Sequence, residues 1–473
     1  MADEFEKFEQ SKDSDDSLDS AAPVESEQTE NSEISKESEE SEDEEILDVI
    51  IFGASSSVGK SAMESAIEVL DGLTWGIAGL EMKNLKMALS EVEEKTGKNL
   101  SDISIYEVNV HDPNSVREMV QNCKVLVNCV GPFMFLGEFV VKQCILAGTH
   151  YVDVSHEPIF TALMTIIYDQ WAREKGVYVI PSCGFIAVAA EMGVVFAQKM
   201  FPGIINSIES FWENNVYYKD KSSKAVLATG AWDSFVYSLR TANDAFIYQM
   251  ALKPKDYPHL LPRWGTRPLP HKIPRLESNF VPFNGGDRNI VMNSQRLWFK
   301  YERKRPIQYK NYIGFKSKLQ GYFVPLFLAF ISLLAQFTRT TRFLLSYVTF
   351  FTFGFITASG PTERNRNSHH YKITFRSIGW HKTEWISKKK PALQMWTQVT
   401  GYNPFYGANC VAVLTSAKMI LQEENKIPGR GGVLSPGYAF ARTTLLDELQ
   451  KYKNGMKFET VSVRCKERDF LDV

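Results

Sequence analysis

Residues 48–59, DVIIFGASSSVG, decide how the rest of the chain reads. An apolar run at 49–52 follows a charged residue, Gly53 opens a small-residue turn, and residues 60–70 carry a helical pattern. Strand, turn and helix in that order bring a helix N-terminus to the carboxyl edge of a parallel sheet, where a phosphate binds. The dinucleotide fingerprint is incomplete, because Ser56 stands where a glycine would let the backbone approach the pyrophosphate. A turn of small residues also serves close helix–sheet packing with nothing bound, and the motif alone leaves both readings open.

Downstream, short apolar runs at 73–78, 103–110, 124–130, 150–154 and 177–180 are spaced to leave room for a crossover helix in most of the gaps. That alternation predicts an α/β fold with an N-terminal Rossmann-type, doubly wound parallel sheet. Ligands of such sheets sit beyond the carboxyl ends of the strands, which points to 79–81, 109–111, 131–132, 153–156 and 181–185.

GASSSVG, VNCVGPF followed by GEFVVKQCILAGTHYVDVSHEP, EKGVYVIPSCGF, Gly230-Ala231-Trp232-Asp233-Ser234, Ser359-Gly360-Pro361-Thr362 and GGVLSPGYAFARTTLLDEL together resemble the saccharopine dehydrogenase-like oxidoreductases. The resemblance runs from residue 46 nearly to the C-terminus. It implies a Rossmann domain for a nicotinamide cofactor, a second α/β (α+β) domain over its mouth, and association with membranes or lipid droplets. The expected dinucleotide contacts are Gly53, Ser55, Ser56, Gly59 and Glu81, with Asn128, Gly131, Pro132, Cys183 and Gly184 walling the nicotinamide. No residue is singled out as catalytic.

Several positions depart from the family pattern. Leu80 stands where an arginine would pair the 2′-phosphate of NADP, and Glu81, about 20 residues past the glycine turn, is placed to accept from a ribose 2′-hydroxyl. The cofactor expected is therefore NAD or NADP, with NAD favoured. Ile186, Ala187 and Ala189 replace an acid, a hydroxyl and a proline of the family pattern. His156 replaces a glycine, and beside Glu157 it reads either as half of an acid–base pair or as an exposed loop histidine. Cys129 and Cys183, at strand ends, read as buried structural thiols. The histidines at 369 and 370 lack the spacing of a zinc site, and no metal is expected.

Charge is distributed unevenly. Residues 1–45 hold 19 Asp and Glu against three Lys, so a net −3 chain carries an excess of 13 positive charges elsewhere. A Ser/Glu-rich leader of this kind buries too little apolar surface to offset its ordering entropy, and a disordered tail is expected there. It lacks the features of a secretory or mitochondrial presequence. Six irregularly spaced cysteines fit reduced thiols.

Between 300 and 318, seven Lys and Arg face a single Glu, and uncharged runs follow at 319–338 and 343–362, separated by Arg339 and Arg342. Two transmembrane helices would fit by length. Against this, the dense apolar part of the first run, 321–335, gives only about 22 Å of helix, Pro325 interrupts it, and basic residues flank both runs on every side. A monotopic hairpin at 319–362, lying in one leaflet or a droplet monolayer, is the expectation.

The domains expected are thus a tail at 1–45, a Rossmann domain at 46–185, a second domain from 186–318 and 363–473 whose C-terminal helix packs back on the first, and the hairpin. In that second domain, strands are expected at 205–212 and 371–375, helices at 411–422 and 439–449, and a glycine-rich helix entry at 428–436. Two functions fit: an NAD(P)-dependent oxidoreductase in lipid metabolism at the cytosolic face of a membrane or lipid droplet, or a noncatalytic scaffold that keeps the fold there. The partners expected are a dinucleotide and a membrane or droplet surface but no nucleic acid, with homodimerisation left open.

Overall fold

The computed structural model describes residues 46–283, 285–381 and 390–465; the acidic leader lies outside the described residues. The apolar run after Asp48 forms β1 (Leu47–Phe52), and the small-residue turn leads into α1 (Ser57–Val69). Then follow β2 (Trp75–Gly79), α2 (Met82–Thr96), β3 (Ser104–Glu107), α3 (Pro113–Gln121), β4 (Cys123–Asn128), α4 (Phe133–Ala147), β5 (His150–Asp153), α5 (Pro158–Lys175), β6 (Tyr178–Ile180) and α6 (Phe185–Met200). The strands lie in the order β3-β2-β1-β4-β5-β6, with every pair parallel. The order reverses between β1 and β4, which places the ligand crevice of a doubly wound sheet beside the glycine turn.

The glycine-rich segment expected to enter a helix does something else first. Gly432–Val433 pairs in parallel with β6 and becomes a seventh strand. Gly429, Gly431 and Gly432 all take positive φ (85°, 92° and 112°), and a Cβ on Gly431 would lie 2.6 Å from the Ala172 carbonyl at the end of α5. Only glycine lets the chain pass that close and turn that way. The single helix expected at 439–449 is two short ones, Pro436–Phe440 and Leu445–Glu448. Thr444 breaks the run by giving both its N–H and its hydroxyl to the Glu423 carboxylate (2.8 and 2.9 Å).

A second, mixed sheet follows, with β7 (Gly203–Val216) at its centre. It pairs antiparallel with His369–His381 and parallel with Gln308–Phe315; Leu393–Tyr402 and Lys457–Cys465 extend one side, Asn279–Pro282 and His271–Lys272 the other. Helix α6 packs against this second sheet: a Cβ on Gly193 would sit 2.2 Å from the Phe375 ring. Ala187, Val188, Ala189 and Ala190 are buried, the last three in the core that α6 shares with this sheet, and Ile186 packs against the same core. The apolar residues at 186, 187 and 189 are thus core residues, as a helix buried nearly all round requires. Helix Gly407–Glu423 returns to the first sheet, where Cys410 Sγ donates to the Val58 carbonyl (3.4 Å).

The apolar segment is not a pair of equivalent helices. Its first run forms Lys318–Ala335, opened by a capping box between Ser317 and Gln320. Its second run is broken into Thr338–Ser346 and Val348–Phe351, then turns at Phe353 and Gly354, both with positive φ. Only 17% of the long helix is buried. Leu319, Tyr322, Phe323, Leu326, Phe330 and Leu333 are exposed, and at 100° per residue they fall within an arc of about 100°. The opposite side, with Ile331 and Ala335, packs on Trp232 and Val236 of helix Thr229–Arg240. Trp232 Nε1 donates to the Leu344 carbonyl (3.0 Å), and Arg240 donates to the Thr338 and Thr341 hydroxyls (both 3.2 Å).

Inside the shared core, Glu191 of α6 accepts from Ser294 Oγ (2.6 Å), and burial pushes its carboxyl up to about 8. Asp287, held by Asn311 Nδ2 (2.9 Å), is pushed up to about 7 by the same cause. Carboxyls raised above their unfolded values contribute stability at low pH that is lost as pH rises through the folded value. His156 and His369, pushed down to about 4 by burial, act oppositely, but only below the ordinary histidine value. Above pH 6.5 the carboxyls therefore act alone. Urea unfolding should show stability falling between pH 6.5 and 8, with Glu191 contributing about 1.4 kcal/mol per pH unit. Glu191→Gln should flatten that slope; a variant with the wild-type slope would refute the assignment.

Candidate functional site

The site begins with the turn between β1 and α1. Gly53 has φ +87°, and a Cβ there would lie 2.8 Å from Val130 Cγ2 in the loop after β4. A Cβ on Gly59 would lie 2.2 Å from the Gly53 carbonyl, so the third position of the motif is held to glycine by the turn itself. Ser56, at the position expected to hinder a pyrophosphate, is the N-cap of α1: its backbone is extended and its hydroxyl accepts from Gly59 N–H (3.0 Å). An oxygen thus already meets one of the free N–H groups that a phosphate would use. The side chain is exposed, so it can turn away.

Across the turn, β2 ends at Gly79, followed by Leu80, which is 61% exposed, and by Glu81. Glu81 is exposed at the N-cap position of α2 without capping it, and its carboxylate accepts from Asn84 Nδ2 (2.7 Å). It stands clear at the rim on the side where a Rossmann fold receives the adenosine ribose.

Beyond β4, β5 and β6 a buried polar ladder shapes the crevice floor. Asn128 Nδ2 donates to Tyr151 Oη (3.1 Å), and Tyr151 donates to Asp153 Oδ2 (2.9 Å). Asp153 Oδ1 accepts from the backbone N–H of Ser155 (2.8 Å) and of Ser182 (2.7 Å), the latter in the left-handed region at φ +62°. Burial pushes Asp153 up to about 6 despite these bonds. Asn128 Oδ1 accepts from Val130 N–H (2.8 Å), fixing the loop that meets Gly53. Asp153 lies in the 153–156 strand end that the sequence marks, but Tyr151 and its bond to Asp153 escape the sequence reading, because a tyrosine and an aspartate two apart on a short strand have no visible common partner.

Neither reading of His156 holds as stated, since Glu157 is engaged elsewhere. The Glu157 carboxylate accepts from Phe133 N–H (3.0 Å) and Met134 N–H (2.7 Å), so it caps α4. His156 is half-buried, not exposed, with its ring against Gly286, where a Cβ would come 3.6 Å from Nε2. Cys129 and Cys183 are poor nucleophiles: burial pushes the first up to about 12 and the second well above its ordinary value.

Helix Thr229–Arg240 roofs the crevice. Ser234 hydrogen-bonds Glu157, and Tyr237 meets Phe135 edge-on at 4.8 Å. Gly230 has open space where a Cβ would be. Asp233 lies three residues after Gly230 and four before Tyr237, on the same strip of helix; it is half-buried, and burial alone pushes it up to about 6. The other raised carboxyls, Asp153 and Glu157, already accept from backbone N–H groups and from the Tyr151 and Ser234 hydroxyls.

Of the residues the sequence singled out, Ser56, Glu81 and Gly131 are exposed at the rim and Gly53 and Ser55 are half-buried. Gly59, Asn128, Pro132, Cys183 and Gly184 are buried behind them; Gly184 abuts Asn409, where a Cβ would meet Oδ1 at 2.5 Å. Two glycines packed without side chains, an exposed helix N-terminus and an acidic rim residue fit the adenosine diphosphate half of a dinucleotide.

Comparison with known proteins agrees. Residues 49–180 match the family described as the saccharopine dehydrogenase NADP binding domain. Over 436 residues the chain is 31% identical to the saccharopine dehydrogenase-like oxidoreductase of Mus musculus, covering 88% of this chain and 97% of the relative. A Caenorhabditis elegans protein named lipid droplet localized protein is 29% identical over 416 residues, 86% of this chain and 96% of that one. Among solved structures, apo saccharopine dehydrogenase (L-Glu forming) from Saccharomyces cerevisiae shares the fold, with a TM-score of 0.50 at 13% identity over 88% of this chain and 100% of that chain. An exposed helix N-terminus at the switch point of a parallel sheet, and identity that runs through both sheets, make this chain a member of the saccharopine dehydrogenase-like oxidoreductases, with an N-terminal domain for a nicotinamide dinucleotide.

Proposed function

We propose that the chain is an NAD(P)-dependent oxidoreductase that docks on the cytosolic face of a membrane or lipid droplet and acts on a lipid-derived substrate. The observation that carries this reading is the exposed apolar stripe of Lys318–Ala335, joined through helix Thr229–Arg240 to the roof of the dinucleotide crevice. The helix is bound along one side to a helix bearing Asp233 and Arg240, so a transmembrane orientation would carry those charges into hydrocarbon, whereas docking in one leaflet leaves them outside. A bound dinucleotide supplies or accepts the hydride. Gly53, Ser56 and Gly59 cradle its diphosphate, Glu81 meets its ribose, and Asp233 holds the proton that accompanies hydride transfer. The noncatalytic scaffold is the second reading, favoured by the Ser56 hydroxyl already seated on Gly59 N–H. Titration with NADH and NADPH separates the two, since no binding of either leaves only the scaffold.

Leu80 offers a 2′-phosphate no donor and Glu81 repels it, so NADH should bind at least roughly tenfold tighter than NADPH. Leu80→Arg with Glu81→Ser should reverse the order; an unmodified protein that prefers NADPH ends this part of the proposal. Ser56→Gly should tighten NADH binding while lowering stability by only a few tenths of a kcal/mol, as replacement of a serine cap by glycine does.

Asp233 gives a test independent of substrate. Its anion favours the positively charged oxidised nicotinamide, so the ratio of NAD+ to NADH affinity should rise severalfold between pH 5 and 7, and Asp233→Asn should make it flat. A pH-independent ratio in the unmodified protein would remove Asp233 from the site.

A further inference from the structure

Helix Ala242–Ala251 was not selected by its sequence, because Asn243, Asp244 and Gln249 interrupt its apolar residues. In the structure only Ala245 is buried, while Phe246 is 67%, Ile247 62% and Met250 52% exposed. At 3.6 residues per turn these three side chains share an arc of about 100°. The helix begins where the roof helix ends: Thr241 Oγ1 donates to the Tyr237 carbonyl (2.9 Å). That end is fastened to the apolar segment by Arg240 on Thr338 and Thr341, and by Gln336 Nε2 on the Leu239 carbonyl (3.2 Å). The helix also packs on α5 of the first sheet.

We propose that helix Ala242–Ala251 is a second lipid-insertion element, with Phe246, Ile247 and Met250 entering the same phospholipid surface that receives Lys318–Ala335. This rests on the docking reading given above. Charge selects lipid over a second copy of the chain as the occupant. Lys253 and Lys255 are exposed just past the helix, and Arg339 is exposed on the adjoining helix Thr338–Ser346. Exposed cations beside an apolar wedge suit anionic head groups, at about 1 kcal/mol for each cation near the surface, whereas lysine is depleted in protein–protein interfaces. A phenylalanine, an isoleucine and a methionine presented together on one exposed face cost the protein solubility, and burial in acyl chains offsets that cost.

The experiment is flotation of the full-length protein with phosphatidylcholine vesicles, with vesicles containing phosphatidylserine, and with triolein droplets coated by the same lipids. Replacing Phe246, Ile247 and Met250 by serine changes only exposed side chains, so the fold and NADH binding should persist, and lipid partitioning should fall at least tenfold. Lys253→Glu with Lys255→Glu should lower partitioning to phosphatidylserine vesicles and leave phosphatidylcholine vesicles unaffected. Leu326→Ser with Phe330→Ser tests the docking reading separately: if that variant floats normally while the triple-serine variant does not, this helix alone is the anchor. A triple-serine variant that partitions as the unmodified protein does overturns the second element and leaves Lys318–Ala335 in place. A triple-serine variant that turns from dimer to monomer with partitioning unchanged shows that a second copy covers the face, and also overturns it. An unmodified protein that floats with none of these lipids overturns both.

Discussion

One carboxylate organises the crevice. Asp153 is fully buried, and ionising it there would be costly without partners, yet its two oxygens collect the Tyr151 hydroxyl from its own strand and two backbone N–H groups from the loops after β5 and β6. Through Tyr151 it reaches Asn128, and through Asn128 the loop against which Gly53 turns. The ends of β4, β5 and β6 are therefore one hydrogen-bonded unit. Helices α4 and α6 start from that unit, so the position of the second sheet, which α6 carries, follows from it as well.

The architecture of the first sheet is legible in the chain because local patterns decide it: apolar runs bounded by turns, alternating with helical spacing, leave few topologies to choose from. What stays hidden depends on distant partners. Gly432–Val433 has the composition of a loop and becomes a strand only because an open sheet edge lies beside it. Thr444 precedes a fresh helix, Leu445–Glu448, with its N–H and hydroxyl taken by Glu423 on another helix. Ile186, Ala187 and Ala189 suggest a pocket stripped of polar groups until their helix is seen to be buried nearly all round. In the candidate site, the glycine turn and Glu81 could be found by spacing. The proposed role of Asp233 could not, since nothing in GAWDS says which side of its helix is half-buried, and Glu157 could not be assigned as a cap while α4 was unplaced.

Helix Thr229–Arg240 is where the two halves of the proposed function meet. Its Trp232 and Val236 side is packed by the apolar helices, and its Ser234 and Tyr237 side is fixed to α4 and to the residue that caps it. Any force on one side is felt on the other, and whatever binding energy couples them acts equally in both directions. The insertion is thus part of the site's support, and removing it would strip the packing from the helix that roofs the crevice.

The crowding around Gly53 and Gly59 bears on how chains of this fold are recognised. At both positions a single added methyl group would collide with main chain or with a neighbouring strand's loop, whether or not a nucleotide is present. A descendant that had abandoned its cofactor would still keep both glycines to remain folded. Their presence therefore certifies the architecture and is silent about the chemistry. The residue that carries information is the one between them: Ser56 is exposed, its side chain is held by a single bond from Gly59 N–H, and replacing it by glycine costs only about a few tenths of a kcal/mol, so it can change at small cost when the demand of a ligand appears or lapses.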